Sequence, residues 1–257
     1  MDSPSLSVVY ISKNAEKHLR ASLESVRAIA DEILLVDCGS TDNTVAIAES
    51  FAARVLHQEW LGFGGQRQFA VDSARHDWIL MLDTDEILRP SAQPLIRSAI
   101  AQEQATAFKL LRQNYIGHKP VRYSEWRNDW VLRLFDRRRG HYDPQAFVHE
   151  SWLCADSVQR LPGIALDHYS FASLKEMLPK LQRYAELNAE KVYGRGKTIS
   201  AWAPMGHGVS AFLRSYFLRL GMLDGVEGAA IAWTTALGAF MKYAIALEMQ
   251  AQDRDSS

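Results

Sequence analysis

Short apolar runs alternate with amphipathic segments over the first 90 residues of the chain. The apolar runs predict four strands, at 6–11, 32–37, 53–58 and 78–83. Apolar positions at helical spacing predict three intervening helices, within 14–30, 40–52 and 63–74. Because the strands are apolar throughout and do not alternate, the pattern predicts a largely parallel sheet covered by helices on both faces.

The pattern changes after residue 105. Short runs such as "AFKLLR", "WVLRLFD", "FVHESWL" and "IALDHYS" predict strands of a mixed, partly antiparallel extension of the sheet. From Ser173 onward the pattern is helical, with Pro179 expected to kink or bound the first helix and a break expected near "GMLDG". We therefore predict an α/β domain over 1–172, in halves 1–90 and 91–172, and a helical C-terminal extension over 173–257.

Composition narrows the class of protein. The formal net charge of -1 gives no bulk field for a polyanion, so no nucleic-acid partner is expected. Two distant cysteines outside any CxxC predict free thiols in a reducing compartment. The N-terminus lacks the pattern of a signal peptide, and we expect no segment apolar enough to span a membrane. The sequence therefore predicts a cytoplasmic protein and leaves its oligomeric state open.

Polar clusters follow three of the predicted strands: "SKN", "DCGSTD" and "DTDE". Carboxyl ends of parallel strands share one edge of a sheet, where ligands bind. The stretch "LDTDEI" places three carboxylates in four positions, which would repel one another without a partner. Asp83 and Asp85 could share Mg²⁺ or Mn²⁺, hard cations that prefer oxygen ligands and substrate phosphates. The alternative is a capped, solvated turn.

The ordered set of motifs resembles a family 2 glycosyltransferase of the GT-A fold. The resemblance rests on "SVVYISKNAEKHLRASLESV", "DEILLVDCGSTDNTVAIAE", "GFGGQRQFA" and "DWILMLDTDEIL". The later "WVLRLFDRR", "FVHESW", "LDHYS" and "YFLRLGMLDGVEG" are similar to one branch, the lipopolysaccharide core glycosyltransferases of the WaaE/KdtX type. Under this resemblance, residues 1–90 form the half that binds a nucleotide-sugar donor, and residues 91–172 form the half that holds the acceptor and the base.

The resemblance also implies a donor site. Asp37 would meet the uracil or ribose, with Ser12 and Asn14 lining the same pocket. Gln66 and Arg67 would approach the nucleotide or its phosphates. Two alternatives remain open for these residues, since Asp37 could simply start a turn and Arg67 could lie on a helix surface.

A metal site is implied by the same resemblance. Asp83 would contact the ribose or the metal, Asp85 would be the direct metal ligand, and His168 would complete the metal or diphosphate site. A hydrogen-bonded core histidine is the alternative for His168. The chain has Ala15 where many relatives have Glu, and Gln68 where many have Asn. These two differences weaken the detailed nucleotide contacts that the resemblance implies, but not the resemblance itself.

Inverting sugar transfer needs one general base, and a well-placed carboxylate suffices. The candidates after the metal motif are Glu125, Asp129, Asp136, Asp143 and Glu150. We favour Glu150, because it follows His149 after an apolar run and the resembling branch has His-Glu there. Asp129 is second, and a salt bridge is the alternative role for Glu150. The zinc pattern HExxH is absent at His149.

Basic and aromatic residues surround apolar positions in the C-terminal helices. This composition suits a helix lying in a membrane interface, on the inner face of the cytoplasmic membrane. A helical cap over the domain or an oligomer contact is the alternative. The arginine run at 133–139 is either a solvated face or a contact for the phosphates of a lipid-linked acceptor.

Together these observations predict an inverting, metal-dependent glycosyltransferase. The expected donor is a UDP-hexose, with glucose suggested, and the expected acceptor is an inner-core heptose of lipid-linked lipopolysaccharide. The alternatives are a polyprenyl-phosphate, capsule or peptide acceptor, a nucleotidyltransferase, and a non-catalytic nucleotide-sugar binding protein. The chain lacks the early Gly-rich phosphate loop expected of a nucleotidyltransferase.

Overall fold

The computed structural model describes residues 4–102, 105–144, 151–196 and 198–255. The chain divides into two compact units. One comprises Met1–Gln113 and Asn128–Tyr169, and the other comprises Asn114–Arg127 and Ser170–Ser257.

The strands are β1 Leu6–Ser12, β2 Glu32–Asp37, β3 Arg54–His57, β4 Trp78–Leu82, β5 Glu86–Leu88, β6 Ala107–Ile116, β7 Lys119–Val121, β8 Asp129–Asp136, β9 Gly140–Tyr142, β10 Trp152–Cys154 and β11 Val158–Phe171. The helices are α1 Glu16–Val26, α2 Thr44–Ser50, α3 Gly62–Ser73, α4 Gln93–Gln102, α5 Met177–Tyr193, α6 Ala203–Leu213 and α7 Val226–Asp255. The sheet of the first unit has the order β3-β2-β1-β4-β8-β6-β11-β5. β3, β2, β1 and β4 are parallel, and β8 joins β4 antiparallel.

The central strands are buried on both faces, as their continuous apolar pattern predicts. In β1, Val8 and Tyr10 pack into one core cluster together with α1, while Val9 packs into the cluster on the opposite face with α3. All five residues of β4 are buried. The prediction of a mixed α/β sheet flanked by helices is therefore confirmed.

The sequence prediction missed the short strands β5 and β9 and the helix α4 of the first unit. Strand β5 has three residues and pairs antiparallel with β11, so its run is too short to give a periodic signal. Helix α4 buries Ile96 and Ile100 and has Pro94 in its first turn, where proline is tolerated. The two prolines, Pro90 and Pro94, obscured a helix that buries only two apolar side chains.

The second unit is mainly helical. Pro179 lies in the first turn of α5 and so bounds that helix, as predicted. A π-helical turn at Arg214–Leu218 extends α6, and a 3-10 turn at Gly221–Asp224 forms the predicted break before α7. The Asp224 carboxylate accepts the backbone N–H groups of Arg122 and Tyr123, at 3.1 and 2.8 Å.

Helix α7 is long and apolar enough to cross a membrane, judged by length and composition. Its Val226–Asp253 segment has a mean hydropathy of 1.3 in the most apolar window, and 22% of that window is buried. The sequence analysis expected no uncharged apolar run long enough to span a membrane, and Glu227 and Lys242 do bound the run between them; α7 reaches this mean hydropathy with a charged residue included. A core helix of a soluble protein passes the same test.

Candidate active site

Three polar loops leave the same edge of the sheet. Ser12 at the end of β1 is in register with Asp37 at the end of β2. Tyr10 of β1 is in register with Leu82, which directly precedes Asp83. The loops after β1, β2 and β4 therefore start side by side, as the parallel pattern predicts.

The Asp37 carboxylate organises the loop after β2. Oδ1 accepts Ser12 Oγ at 2.9 Å and Ser40 Oγ at 2.5 Å, while Oδ2 accepts the backbone N–H groups of Gly39 at 2.9 Å and Ser40 at 2.8 Å. Burial raises the pKa of Asp37, but these hydrogen bonds lower it by more, so the pKa lies below its ordinary value. Asp37 is thus a charged group that also fixes the turn at Gly39, whose φ of 93° favours glycine.

Asn14 links two loops and does not cap α1 through its side chain. Its Oδ1 accepts the backbone N–H of Thr41 at 2.8 Å, and its own N–H donates to Ser40 Oγ at 2.8 Å. Helix α1 begins at Glu16, and the Glu16 N–H donates to Asp42 at 3.2 Å. The caps of α1 are therefore supplied partly by the loop after β2, a long-range arrangement that local sequence does not reveal.

Gln66 and Arg67 both point into the protein from α3. Gln66 is fully buried, and its amide bonds the backbone of Gln58 and Leu61, both at 3.3 Å. Arg67 donates to Asp83 Oδ1 at 2.7 Å, and only 8% of its side chain is exposed. The alternative of Arg67 as a surface residue is wrong.

Arginines neutralise the crowded carboxylates of "LDTDEI". Asp83 pairs with Arg67 and, by a short contact, with Arg133. Burial raises the pKa of Asp83, but the charges of Arg133, Arg67 and His168 hold it well below its ordinary value. Burial lowers the pKa of Arg133, but Asp83 and Glu86 raise it above its ordinary value.

Glu86 is the fully buried member of this cluster. Its Oε1 accepts Arg112 at 2.8 Å and Arg133 at 2.7 Å, and its Oε2 accepts the backbone N–H of Asp83 at 3.0 Å. Since a buried charge must be paired, Glu86 fixes both the arginines and the backbone of the turn after β4.

Asp85 lies beside His168. Its Oδ2 lies 3.5 Å from His168 Nε2, with 34% of the Asp85 side chain exposed and 14% of the His168 side chain. The Asp85 carbonyl accepts the Tyr169 N–H at 3.0 Å, which ties the turn to β11. Asp167, the neighbour that could have held a core histidine, instead pairs with Arg89 at 2.6 Å.

Few ligands are left for a divalent ion. In the part of the chain that the structure describes, no three His, Cys, Asp or Glu side chains form a cluster that could hold a metal. Asp83 is engaged by two guanidinium groups. Asp85 and His168 are therefore the side chains that could bind a divalent ion. One carboxylate and one imidazole fit an ion that keeps waters and takes oxygens from a substrate phosphate, as Mg²⁺ and Mn²⁺ do.

The two predicted bases have different positions. Asp129 begins β8, and its Oδ2 accepts Arg112 Nε at 2.9 Å, so it joins the same network through Arg112. Glu150 lies outside the described residues. Of the run at 133–139, Arg133 is buried in the site, Arg137 donates to the Ala74 carbonyl at 2.6 Å, and Arg138 and Arg139 are exposed.

Sequence reasoning missed Arg112, placed Arg133 in a run that is either solvated or binds acceptor phosphates, and counted Glu86 among the crowded carboxylates without giving it a partner. A signal for Arg133 exists in the run "WVLRLFD", where one charge interrupts a strand and therefore needs a buried partner. Arg112 carries no such signal, and the partners of Glu86 could not be named from sequence, because their strands come together only in the folded sheet.

Known proteins are similar in sequence to this chain over most of its length. The family model for glycosyl transferase family 2 matches residues 7–155. The lipopolysaccharide core biosynthesis glycosyltransferase LpsC of Rhizobium meliloti (strain 1021) is 29% identical over 256 residues, covering 93% of both chains. An uncharacterized glycosyltransferase of Rickettsia conorii is 28% identical over 249 residues, covering 92% of this chain and 88% of that protein.

A solved structure of glucosyl-3-phosphoglycerate synthase from Mycobacterium tuberculosis, in complex with Mn²⁺, uridine-diphosphate and phosphoglyceric acid, is also similar. It is 24% identical, with a TM-score of 0.38, and the match covers 42% of this chain and 43% of that one.

The family match covers more than half of the chain. It includes the strand ends that carry Ser12, Asp37 and Asp83, together with the arginines that pair with Asp83. This chain belongs to glycosyl transferase family 2 and is a glycosyltransferase.

Proposed function

We propose that this glycosyltransferase moves a hexose from a UDP-sugar, with UDP-glucose as the expected donor, to an inner-core heptose of lipid-linked lipopolysaccharide, with inversion at the anomeric carbon. The proposal rests on the position of Asp85, which follows β4 at the strand edge that also carries Asp37, is 34% exposed in its side chain, and has its Oδ2 at 3.5 Å from His168 Nε2. The acceptor class is supported by LpsC, whose name assigns it to lipopolysaccharide core biosynthesis and which aligns over 93% of this chain.

The donor would lie across the ends of β1, β2 and β4. Ser12, Asn14 and Asp37 would line the uracil and ribose pocket, where the charged Asp37 can accept N–H or O–H groups. Gln66 and Arg67 would approach the nucleotide and its phosphates from α3. The guanidinium of Arg67 is already oriented by Asp83, at 2.7 Å, so it is preorganised for a second anion.

The leaving group is a diphosphate, and its charge must be neutralised as it departs. Asp85 and His168 would hold Mg²⁺ or Mn²⁺, which when bound supplies positive charge beside the diphosphate. Asp83 would contact the ribose while Arg67 and Arg133 hold its carboxylate in place.

The base removes the proton from the acceptor hydroxyl as its oxygen attacks the anomeric carbon, on the face opposite the diphosphate. The new C–O bond forms while the bond to the diphosphate breaks, and the electron pair leaves with UDP. Glu150 is the preferred base and Asp129 the second, with the Asp129 carboxylate oriented by Arg112 at 2.9 Å.

Replacing the base should separate donor binding from transfer. Glu150→Gln should bind the donor as the native chain does and lower kcat about hundredfold, because the amide cannot accept the proton. Calorimetry with UDP-glucose and a radiolabelled transfer assay check the two quantities, with Asp129→Asn measured beside it. Native turnover in Glu150→Gln, together with a loss in Asp129→Asn, would assign the base to Asp129; native turnover in both would contradict the mechanism.

The acceptor is expected at a membrane surface. A lipid-linked saccharide would bring the enzyme to the inner face of the cytoplasmic membrane, as a peripheral protein. The exposed Arg138 and Arg139 are available to anionic groups of such an acceptor, although Arg138 also pairs with Asp136 at 2.6 Å.

The test is product analysis with purified protein. UDP-glucose and Mn²⁺ are supplied with a lipopolysaccharide acceptor truncated at the inner-core heptose, and the product linkage is read by NMR. The proposal expects one hexose on heptose with inverted anomeric configuration. Transfer only to a polyprenyl phosphate, a capsule precursor or a peptide would replace the acceptor, and donor binding without transfer to any acceptor would indicate a binding protein.

A further inference from the structure

The second unit carries an apolar face that the fold does not use. Trp202, which directly precedes α6, and Met205, Val209 and Leu213 within it are spaced by three and four residues, so they lie on one side of the helix. Together with Leu218 they line one open groove. Trp202 is 81% exposed and Leu218 is 80% exposed.

The opposite side of α6 already supplies the contact with the rest of its unit. Pro204, Gly208 and Ala211 are buried there. A Cβ built on Gly208 would lie 3.3 Å from the Phe240 Cβ of α7, so the two helices approach closely at that point. The exposed face of α6 is therefore additional apolar surface, and not the side that packs α6 onto α7.

The π-helical turn prolongs this face. Leu213 and Leu218 are five residues apart, which would place them on different sides of an ideal α-helix. The wider turn at Arg214–Leu218 brings Leu218 back to the groove that Leu213 lines. Apolar exposure continues past the turn through Leu220, Met222, Leu223 and Val226.

The charge near this face is mainly positive, and one acidic neighbour is Glu125, whose Oε1 lies 3.7 Å from Arg219 Nη1. Residues 191–223 contain no Asp or Glu and five basic residues, Lys191, Arg195, Lys197, Arg214 and Arg219. Arg214 itself lines the groove. An apolar helix face bordered by cations complements an anionic lipid surface, while two copies of the same basic face would repel each other.

We infer that the exposed face of α6 and the following π turn, from Trp202 to Leu218, inserts into the headgroup region of an anionic membrane. Trp202 and Leu218 would enter the apolar boundary, and Arg214 would remain at the headgroup phosphates. The inference deepens the proposed function, on which it rests for its setting, because a lipid-linked acceptor lies in such a surface.

Cosedimentation of the full chain with vesicles tests this inference. We expect binding to vesicles of phosphatidylcholine mixed with phosphatidylglycerol, weakening as salt is raised, and little binding to phosphatidylcholine alone. Trp202→Glu combined with Leu218→Glu should weaken binding about tenfold or more, since two large apolar side chains lose their burial. The matched control combines Leu178→Glu with Leu153→Glu, at residues 56% and 48% exposed elsewhere, and should bind as the native chain does.

The inference would be overturned if the native chain did not bind the vesicles, or if the Trp202/Leu218 variant bound them as the native chain does. It would also be overturned if sedimentation velocity showed a native dimer that is absent in this variant, since the face would then be a contact between two copies. Resistance of the bound protein to carbonate extraction would likewise contradict it. Thermal unfolding of both double variants confirms that they fold. Calorimetry with UDP-glucose on the same samples separates the two proposals. Vesicle binding by a chain that binds no donor would support this surface and contradict the proposed transfer.

Discussion

At the scale of single residues, the stretch "LDTDEI" tolerates three adjacent carboxylates because each has a different environment. Asp83 lies between Arg67 and Arg133, Glu86 is buried on Arg112 and Arg133, and Asp85 is left accessible beside His168. The arginines neutralise the two inner carboxylates without using Asp85. Asp85 therefore keeps 34% of its side chain exposed, next to the two paired carboxylates.

Removing Arg133 should be costly for stability. Arg133→Leu leaves the fully buried Glu86 with one guanidinium partner and exposes Asp83 to its like charge. We expect the free energy of unfolding to fall by about 3 kcal/mol, the usual consequence of breaking a buried pair. Urea unfolding measures the change.

The matched control is Arg139→Leu, in the exposed part of the same arginine run. Arg139 is exposed, unlike Arg133. Its loss should change the free energy of unfolding by less than about 1 kcal/mol. Equal costs for the two variants would show that the Arg133 network is not a buried one.

Asp37 should make stability depend on pH. Its folded pKa lies below the ordinary value, so its contribution is present above about pH 4 and is lost as pH falls through the folded pKa. Asp37→Asn should therefore destabilise the chain most at neutral pH, with the difference from the native chain shrinking below about pH 4. Unfolding by urea across this range measures it.

The cause of the lowered pKa of Asp37 can be checked separately by NMR titration of its carboxyl group. Ser40→Ala removes the hydroxyl that donates at 2.5 Å and should raise the pKa of Asp37. An unchanged titration midpoint would contradict the assignment of the shift to Ser40.

At the scale of elements, the start of α7 depends on a glycine. A Cβ built on Gly228 would lie 1.8 Å from the Gly221 carbonyl oxygen, a backbone atom that cannot rotate away. Gly206 in α6 has no atom within 4 Å of the corresponding position. The two glycines therefore differ in the space around them, and both lie in helices of the second unit.

Alanine at these positions should have opposite effects. Gly228→Ala should lower the free energy of unfolding by about 3 kcal/mol, because the backbone at the 3-10 turn must move. Gly206→Ala should raise it by up to about 1 kcal/mol, since alanine favours the helix. Thermal and urea unfolding compare them, and a neutral Gly228→Ala would contradict this packing.

Most elements of the first 90 residues could be predicted because their signals are local. β2 at Glu32–Asp37 and α3 at Gly62–Ser73 follow directly from apolar runs and spacing. β5 and the pairing of Arg112 with Glu86 could not be predicted, since both depend on strands brought together from distant parts of the chain. The contact of Asn14 with Thr41 could not be predicted either, since it joins the loops after β1 and β2.

At the scale of the whole molecule, family membership ties the first unit to sugar transfer, and the second unit adds helices with exposed apolar residues. Part of the candidate site could be predicted, because Ser12, Asp37 and Asp83 are at strand ends that topology brings together. The different environments of Asp83 and Asp85 could not be predicted, since the pairing of Asp83 depends on arginines from α3 and β8.

The central claim is that Asp85 holds a cation and that the cation helps to hold a diphosphate. Calorimetric titration of UDP-glucose into the native chain and into Asp85→Asn, each with and without Mn²⁺, tests it most directly, with Asp77→Asn as a surface control. We predict that Mn²⁺ strengthens binding at least about tenfold in the native chain and in Asp77→Asn, and has no effect in Asp85→Asn. Equal affinity in all samples, or an undiminished effect of Mn²⁺ in Asp85→Asn, would contradict the claim.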